Sequence, residues 1–150
     1  MIYYKDIYKA VNNLLKKLYP TIHRYGNDTK DKVVTPYFFV ELVPTISEHE
    51  TKNSLRRSCN IYINYIQKTY DQADQMSVSD AFFDAIGMTL DVQDDDKMRH
   101  ITISNYVHSY TGQDNRDLQI SFKVEWYTGT VDTSGEPIST VDVELSKKEV

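Results

Sequence analysis

From Asp117 to Trp126 the sequence alternates without a break. Leu118, Ile120, Phe122, Val124 and Trp126 take every second position, and Asp117, Gln119, Ser121, Lys123 and Glu125 take the others. Side chains on a strand point alternately to its two faces, so this pattern gathers five apolar groups on one face. A slip of one residue would turn all five to solvent, which fixes the register strongly. The spacing predicts that this strand and its hairpin partner form the centre of a sheet. A sheet with one apolar face needs a cover, and the chain upstream supplies one.

That cover begins at the amino end. Ile7, Ala10, Val11, Leu14, Leu15 and Leu18 recur at helical spacing, while Lys5, Asp6, Lys9, Asn12, Asn13, Lys16 and Lys17 fall mainly elsewhere. Lys16 and Lys17 suit the carboxyl end of the helix dipole, and Pro20 stops the helix by excluding helical geometry at Tyr19. A short strand is expected over residues 21–25, ended by Gly26-Asn27-Asp28. Residues 37–43 are almost wholly apolar and lie between Pro36 and Pro44, as in a strand dry on both faces. A long polar hairpin loop is expected over residues 44–54. The next strand, Arg57 to Gln67, puts Cys59, Ile61, Ile63 and Tyr65 on one face and Asn60, Tyr62 and Asn64 on the other.

A second helix is expected from about Asp74 to Leu90, burying Phe82, Phe83, Ile86 and Leu90, with Met76 or Val78 extending that face. Ser77 and Asp80 offer a local cap, and Asp94-Asp95-Asp96 reads as an exposed connection. In the following strand Ile101, Ile103 and Val107 are expected on one face, with Thr102, Ser104, Tyr106 and His108 on the other. The fold these elements define is α+β: a single domain whose mixed or mostly antiparallel sheet carries both helices on one face. The expected order is α-β-β-α-β-β, with an extra short strand after the first helix. The domain is expected over residues 1–129. Residues 130–150 form an acidic tail, either loosely structured or adding one short strand, since Val141, Val143 and Leu145 alternate well enough to pair with an edge.

Composition narrows the function. A chain of 150 residues with 40% hydrophobic content can hold one ordinary core. Its net charge of −5 and pI near 5.3 argue against nucleic-acid binding, which needs a basic stripe to displace counterions. The single Cys59 cannot form an internal disulfide, which fits a reducing compartment. Neither a signal peptide nor a membrane-spanning run is expected.

The residues give catalysis no support. His23, His49, His100 and His108 lack the i, i+4 spacing of a helical zinc pair, and no cysteine pair completes a site. Cys59 falls on the inward face of its strand, as a small buried thiol does. The acidic run lacks the glycine and closing glutamate of a calcium loop. The glycines are too scattered to cradle a phosphate. We therefore expect neither enzyme activity nor a cofactor. The twelve tyrosines remain. Tyr62 and Tyr106 are expected opposite the core, with Tyr110 and Tyr127 near strand ends. They mark either a second buried face or a subunit interface, where tyrosine offers large area with a polar tip.

The chain resembles the lambda-type tail terminators of long-tailed bacteriophages and their relatives in prophages of low-GC bacteria. The resemblance covers residues 3–129. It rests on the helix that opens Asp6-Ile7-Tyr8-Lys9-Ala10-Val11, on Pro36-Tyr37-Phe38-Phe39-Val40-Glu41-Leu42, and on the polar segment 44–54. It continues through Cys59-Asn60-Ile61-Tyr62-Ile63, the second helix, and the turn Gln113-Asp114-Asn115-Arg116-Asp117 with the alternating strand after it. The resemblance implies a structural virion protein, assembled in the bacterial cytoplasm. It implies a ring, a hexamer by analogy, that caps the tail tube, ends its polymerisation and offers a surface for joining the head. The implied partners are further copies of the chain, the tail tube protein and a head-completion or neck protein. Interface residues are then expected at Glu48, His49, Tyr62, Tyr106, Asp114 and Arg116. The alternatives are another head–tail connector or tail completion protein and, from a different class, a small-ligand or nucleotide-handling enzyme.

Overall fold

The computed structural model describes residues 1–27 and 32–129. The order is α1 (Tyr4–Leu18), β1 (His23–Tyr25), β2 (Tyr37–Thr51), β3 (Ser54–Ile66), α2 (Gln72–Ile86), β4 (Thr89–Asp94), β5 (Lys97–Thr111) and β6 (Asp117–Gly129), with a 3₁₀ turn at Gln113–Asn115 before β6. The strands form one sheet in the order β1-β2-β3-β6-β5-β4. Only β1 and β2 are parallel; every other neighbouring pair is antiparallel. The described residues thus form a mixed-sheet α+β fold with two helices.

The alternating strand behaves as its pattern requires. Leu118, Ile120, Phe122, Val124 and Trp126 are all buried, while their odd-numbered neighbours from Asp117 to Glu125 are half-buried on the other face. It lies at the sheet's centre, but its partner there is β3: the two pair from Ser54 opposite Gly129 to Tyr65 opposite Leu118. Its hairpin partner β5 lies one place further out. The inward face of β3 carries Cys59, Ile61, Ile63 and Tyr65, all buried as the spacing predicts. Both helices join this core. The α2 ring of Phe82 stacks on Phe122 at 6.2 Å, and Tyr4 of α1 meets Trp126 edge-on at 5.4 Å. The indole Nε1 of Trp126 donates to the Ile2 carbonyl at 3.2 Å, tying the chain's start to the last strand. Trp126 therefore sits beneath the beginning of α1.

Both helix starts have a physical cause. Asp6 Oδ2 accepts the Tyr3 N–H at 2.8 Å, satisfying a donor that the helix leaves orphaned. On α2 the cap is Asp71, whose carboxylate accepts from the Asp74 N–H. Asp74 Oδ2 in turn accepts from Tyr65 Oη at 2.7 Å and Gln67 Nε2 at 2.8 Å, so the end of β3 clasps the start of α2. The helix ends at Ile86, with Gly87 at φ +58 as its C-cap. Leu90, expected in that helix, instead lies on β4. This strand was hidden in the sequence because its buried Leu90 and Val92 prolong the helix's apolar count.

The segment 44–54, expected as a loop, is mostly strand. β2 continues to Thr51 and pairs with β3 across two irregularities, between Pro44 and Ile46 and between His49 and Thr51. Pro44 therefore lies within a strand instead of ending one. It is tolerated because β1 covers only Tyr37–Phe39, which leaves the later part of β2 at the sheet's edge. The alternation expected in β5 also breaks. Its pairing with β6 shifts between Ser104 and Val107, and Asn105 there adopts φ +53. The extra residue reverses the faces beyond it. Tyr106 consequently packs on Phe82 and Phe122, and Val107 is half exposed.

Cys59 has no exposed surface, and burial pushes its thiol pKa up to about 12. At neutral pH it is a thiol without access to reagents. An aromatic disulfide reagent should therefore label the native protein negligibly over minutes and label one thiol after denaturation. Prompt labelling of the native chain would place Cys59 at the surface.

Candidate interaction surface

The sheet has a second face, away from both helices. On it β3 contributes Asn60, Tyr62 and Asn64, flanked by Glu41 of β2 and by Gln119, Ser121 and Lys123 of β6. Tyr62 stands between Glu41 and Ser121. Asn64 Oδ1 accepts from Gln119 Nε2 at 3.1 Å and from Thr111 Oγ1 at 3.3 Å, and Ser109 Oγ donates to Gln119 Oε1 at 3.3 Å. These bonds link β3, β6 and β5 through neutral side chains. Two ion pairs lie on it, Lys123 with Glu125 at 3.3 Å and Arg56 with Glu48 at 2.7 Å, and Glu41 adds a carboxylate. The face therefore presents amides, hydroxyls and a tyrosine, a composition close to that of wet protein–protein interfaces.

The expected site residues fall at separate places along the sheet. Glu48 and His49 lie near the far end of the β2–β3 hairpin. Glu48 shares Arg56 with Glu50, whose carboxylate is 3.6 Å from Nε, while His49 pairs with Leu55 on the opposite face. Tyr62 lies in the middle. Asp114 and Arg116 occupy the β5–β6 turn, at the other end of β6, about 40 Å from the hairpin end on strand geometry. The geometry thus spreads Glu48, Tyr62, Asp114 and Arg116 over one long surface, leaves His49 on the opposite face, and gathers none of them into a pocket. Tyr106 does not belong to that surface: the bulge at Asn105 sends its ring to the core side, where Phe83 meets it edge-on at 5.0 Å. His108 follows it and bonds to Ser79 of α2. Arg56 and the Asn64–Gln119 pair were missed. Strand alternation puts them on the outer face, but only the pairing register shows that they meet.

The β5–β6 turn is held from both sides. Arg116 lies over the Tyr70 ring at 5.2 Å, and its carbonyl accepts from the buried Gln75 Nε2 at 2.6 Å. Gly112 opens the turn at φ +77 and ψ −169, a region almost restricted to glycine. A Cβ there would also lie 2.1 Å from Asp117 Oδ2. We expect Gly112→Ala to cost about 1–3 kcal/mol. A change within 0.5 kcal/mol of zero in urea melts, roughly the noise of a surface substitution, would show that the turn relaxes freely.

A groove of about 490 Å³ lies between α1, the end of α2 and β4. Asp6, Lys9, Lys17, Asp91 and Asp95 are among its walls, mixed in sign, and neither His nor Cys lines it. Among the described residues no cluster of three or more His, Cys, Asp and Glu has the geometry of a metal site.

The sheet thus presents a polar face that no described helix or strand covers. Residues 6–136 match the model of a phage tail terminator protein family, and the chain belongs to that family. It is a structural protein of phage tails. In fold it is similar to a chain in the virion of a native gene transfer agent particle, with 12% identity, a TM-score of 0.55, and coverage of 84% of this chain and 93% of that one. A second solved chain aligns at 14% identity and a TM-score of 0.46, over 85% of this chain and 92% of its own. Comparison with curated proteins gave no match.

Proposed function

We propose that this protein closes into a ring on the finished tail tube, stops further addition of tube subunits, and presents the surface to which the head is joined. The observation that carries this reading is the family match over residues 6–136, which covers the described helices and strands except the first two residues of α1. The uncovered sheet face supports it. A ring needs a heterologous contact, in which one patch meets a different patch on the next copy and rotation closes the set. The surface from Glu48 past Tyr62 to Arg116 is long enough to offer separate patches to a neighbour and to the tube. Six copies is the number the family resemblance implies. The partners are then other copies, the tail tube protein and a head-completion protein, and the protein works as a virion component without catalysis.

A net charge of −5 per copy opposes association of free subunits at low ionic strength. Ring closure is therefore expected to need the tube as template. Negative-stain electron microscopy and light scattering of the purified protein, with and without tail tubes, test this. The expected result is a monomer alone and a ring of density at tube ends in the mixture. Tubes that bind no protein at their ends would contradict the reading.

A further inference from the structure

The flank of α2 over β5 is apolar and acidic at once. Met76, Asp80 and Phe83 recur at i, i+4 and i+7 and so share one side of the helix. Phe83 is 50% exposed and meets the Tyr106 ring edge-on at 5.0 Å, and burial together with the Asp80 carboxylate raises the pKa of that phenol. Asp80 and Asp84 are exposed, and no described cation pairs with either. Neither α2 nor β5 from Ile101 to Thr111 carries a lysine or arginine. β5 is uncovered on its outer side there: β4 pairs only with Lys97–Thr102, and beyond Ile103 no described strand follows. An aromatic ring half out of the surface and flanked by unpaired carboxylates fits a partner that offers an apolar groove and a cation.

We propose that the partner is a second copy, which receives Phe83 in the groove between its α1 and β2 and sets Lys5 against Asp80 and Asp84. That groove has a volume of about 370 Å³ and is lined by Tyr4, Lys5 and Tyr8 of α1, by Val40, Glu41 and Leu42 of β2, and by Asn27. Two tyrosines and two aliphatic side chains suit a phenylalanine, and the volume falls in the range of sites that enclose a small molecule. Lys5 stands on the α1 wall and Glu41 on the β2 wall, so the carboxylates of the incoming helix must turn toward α1. The charge of α1 suits them: Lys5, Lys9, Lys16 and Lys17 are all exposed, against the single Asp6, which already accepts the Tyr3 N–H. The groove lies by β2 and the Phe83 flank by β5, three places apart in the sheet, so the two sites occupy different sides of one domain. Contact between them joins copies head to tail, as a ring requires. Two Phe83 flanks meeting symmetrically would instead oppose carboxylate to carboxylate. The inference rests on the ring reading above and names the contact that closes it.

The test uses the full chain on tail tubes. Copies carrying Asp84→Cys are mixed with copies carrying Lys5→Cys and treated with a short bis-maleimide; the buried Cys59 takes no part. A cross-linked dimer is expected from the mixture and from neither variant alone. Dimers formed by one variant alone would show a symmetric contact and overturn the proposal, and so would rings at tube ends without any cross-link. Tubes that bind none of the parent protein would overturn both this contact and the ring itself, which keeps the two failures distinguishable. Phe83→Asp supplies a second measurement. It should lower occupancy of tube ends about tenfold or more, the loss of one interface anchor. Its melting temperature should stay within about 3 °C of the parent, because the replaced ring is half exposed. Parent-like occupancy would also overturn the proposal.

Discussion

Replacing Phe122 with alanine should cost about 3–5 kcal/mol of folding free energy, the range found when a fully buried phenylalanine is truncated. Phe122 is 1% exposed, faces Ile61 across the central β3–β6 pair, and stacks on both Phe82 and Tyr106. Its removal leaves a cavity between the sheet and α2 that none of these rings can fill without leaving its other contacts. A stability of 5–15 kcal/mol is usual for a domain, so the variant should be close to unfolding at room temperature. Urea denaturation followed by tryptophan fluorescence measures it, since Trp126 is the sole tryptophan and is buried on the same strand face. A loss below about 1 kcal/mol would mean that the β6 face is not packed as described.

The second large effect is on assembly, not stability. We expect the double variant Tyr62→Ala, Arg116→Ala to impair tail termination and leave overlong tails. Its melting temperature should stay within about 3 °C of the parent. Tyr62 lies on the outer sheet face, away from the core cluster, and the Arg116 side chain rests on the exposed Tyr70. The Arg116 backbone bond to Gln75 survives the substitution, so the turn stays anchored. Electron microscopy of tails from phage carrying the variant gives their length distribution. Normal lengths would remove both residues from the working surface. A drop in melting temperature of 10 °C or more, far above the roughly 3 °C expected, would show that they serve the fold instead.

The parts of this fold legible in the sequence are those in which one periodicity runs uninterrupted. The helix from Tyr4 to Leu18 and the strands carrying Ile61 and Phe122 are of this kind, because local pattern and tertiary burial agree. The second helix was harder to delimit. Its buried stripe includes Gln75 and Ser79, whose side chains bond to the Arg116 carbonyl and to His108, distant in sequence. A single extra residue near Asn105 was enough to reverse the faces of β5, and no local pattern announces a bulge. The hairpin from Pro44 to Ser54 looked like a loop because an edge strand can remain polar and carry proline while its partner β3 holds the register. The positions of Tyr62, Asp114 and Arg116 on the proposed surface were legible residue by residue. Its extent was not, since strand pairing alone shows how far apart these residues lie.

The proposed function is to stop growth of the tail tube. Its most direct test is the tail-length distribution, by electron microscopy, of particles produced with the gene for this protein deleted and then restored. The account predicts tails of irregular and excessive length without heads in the deletion, and uniform headed tails on restoration. Tails of normal length bearing heads in the deletion would contradict it.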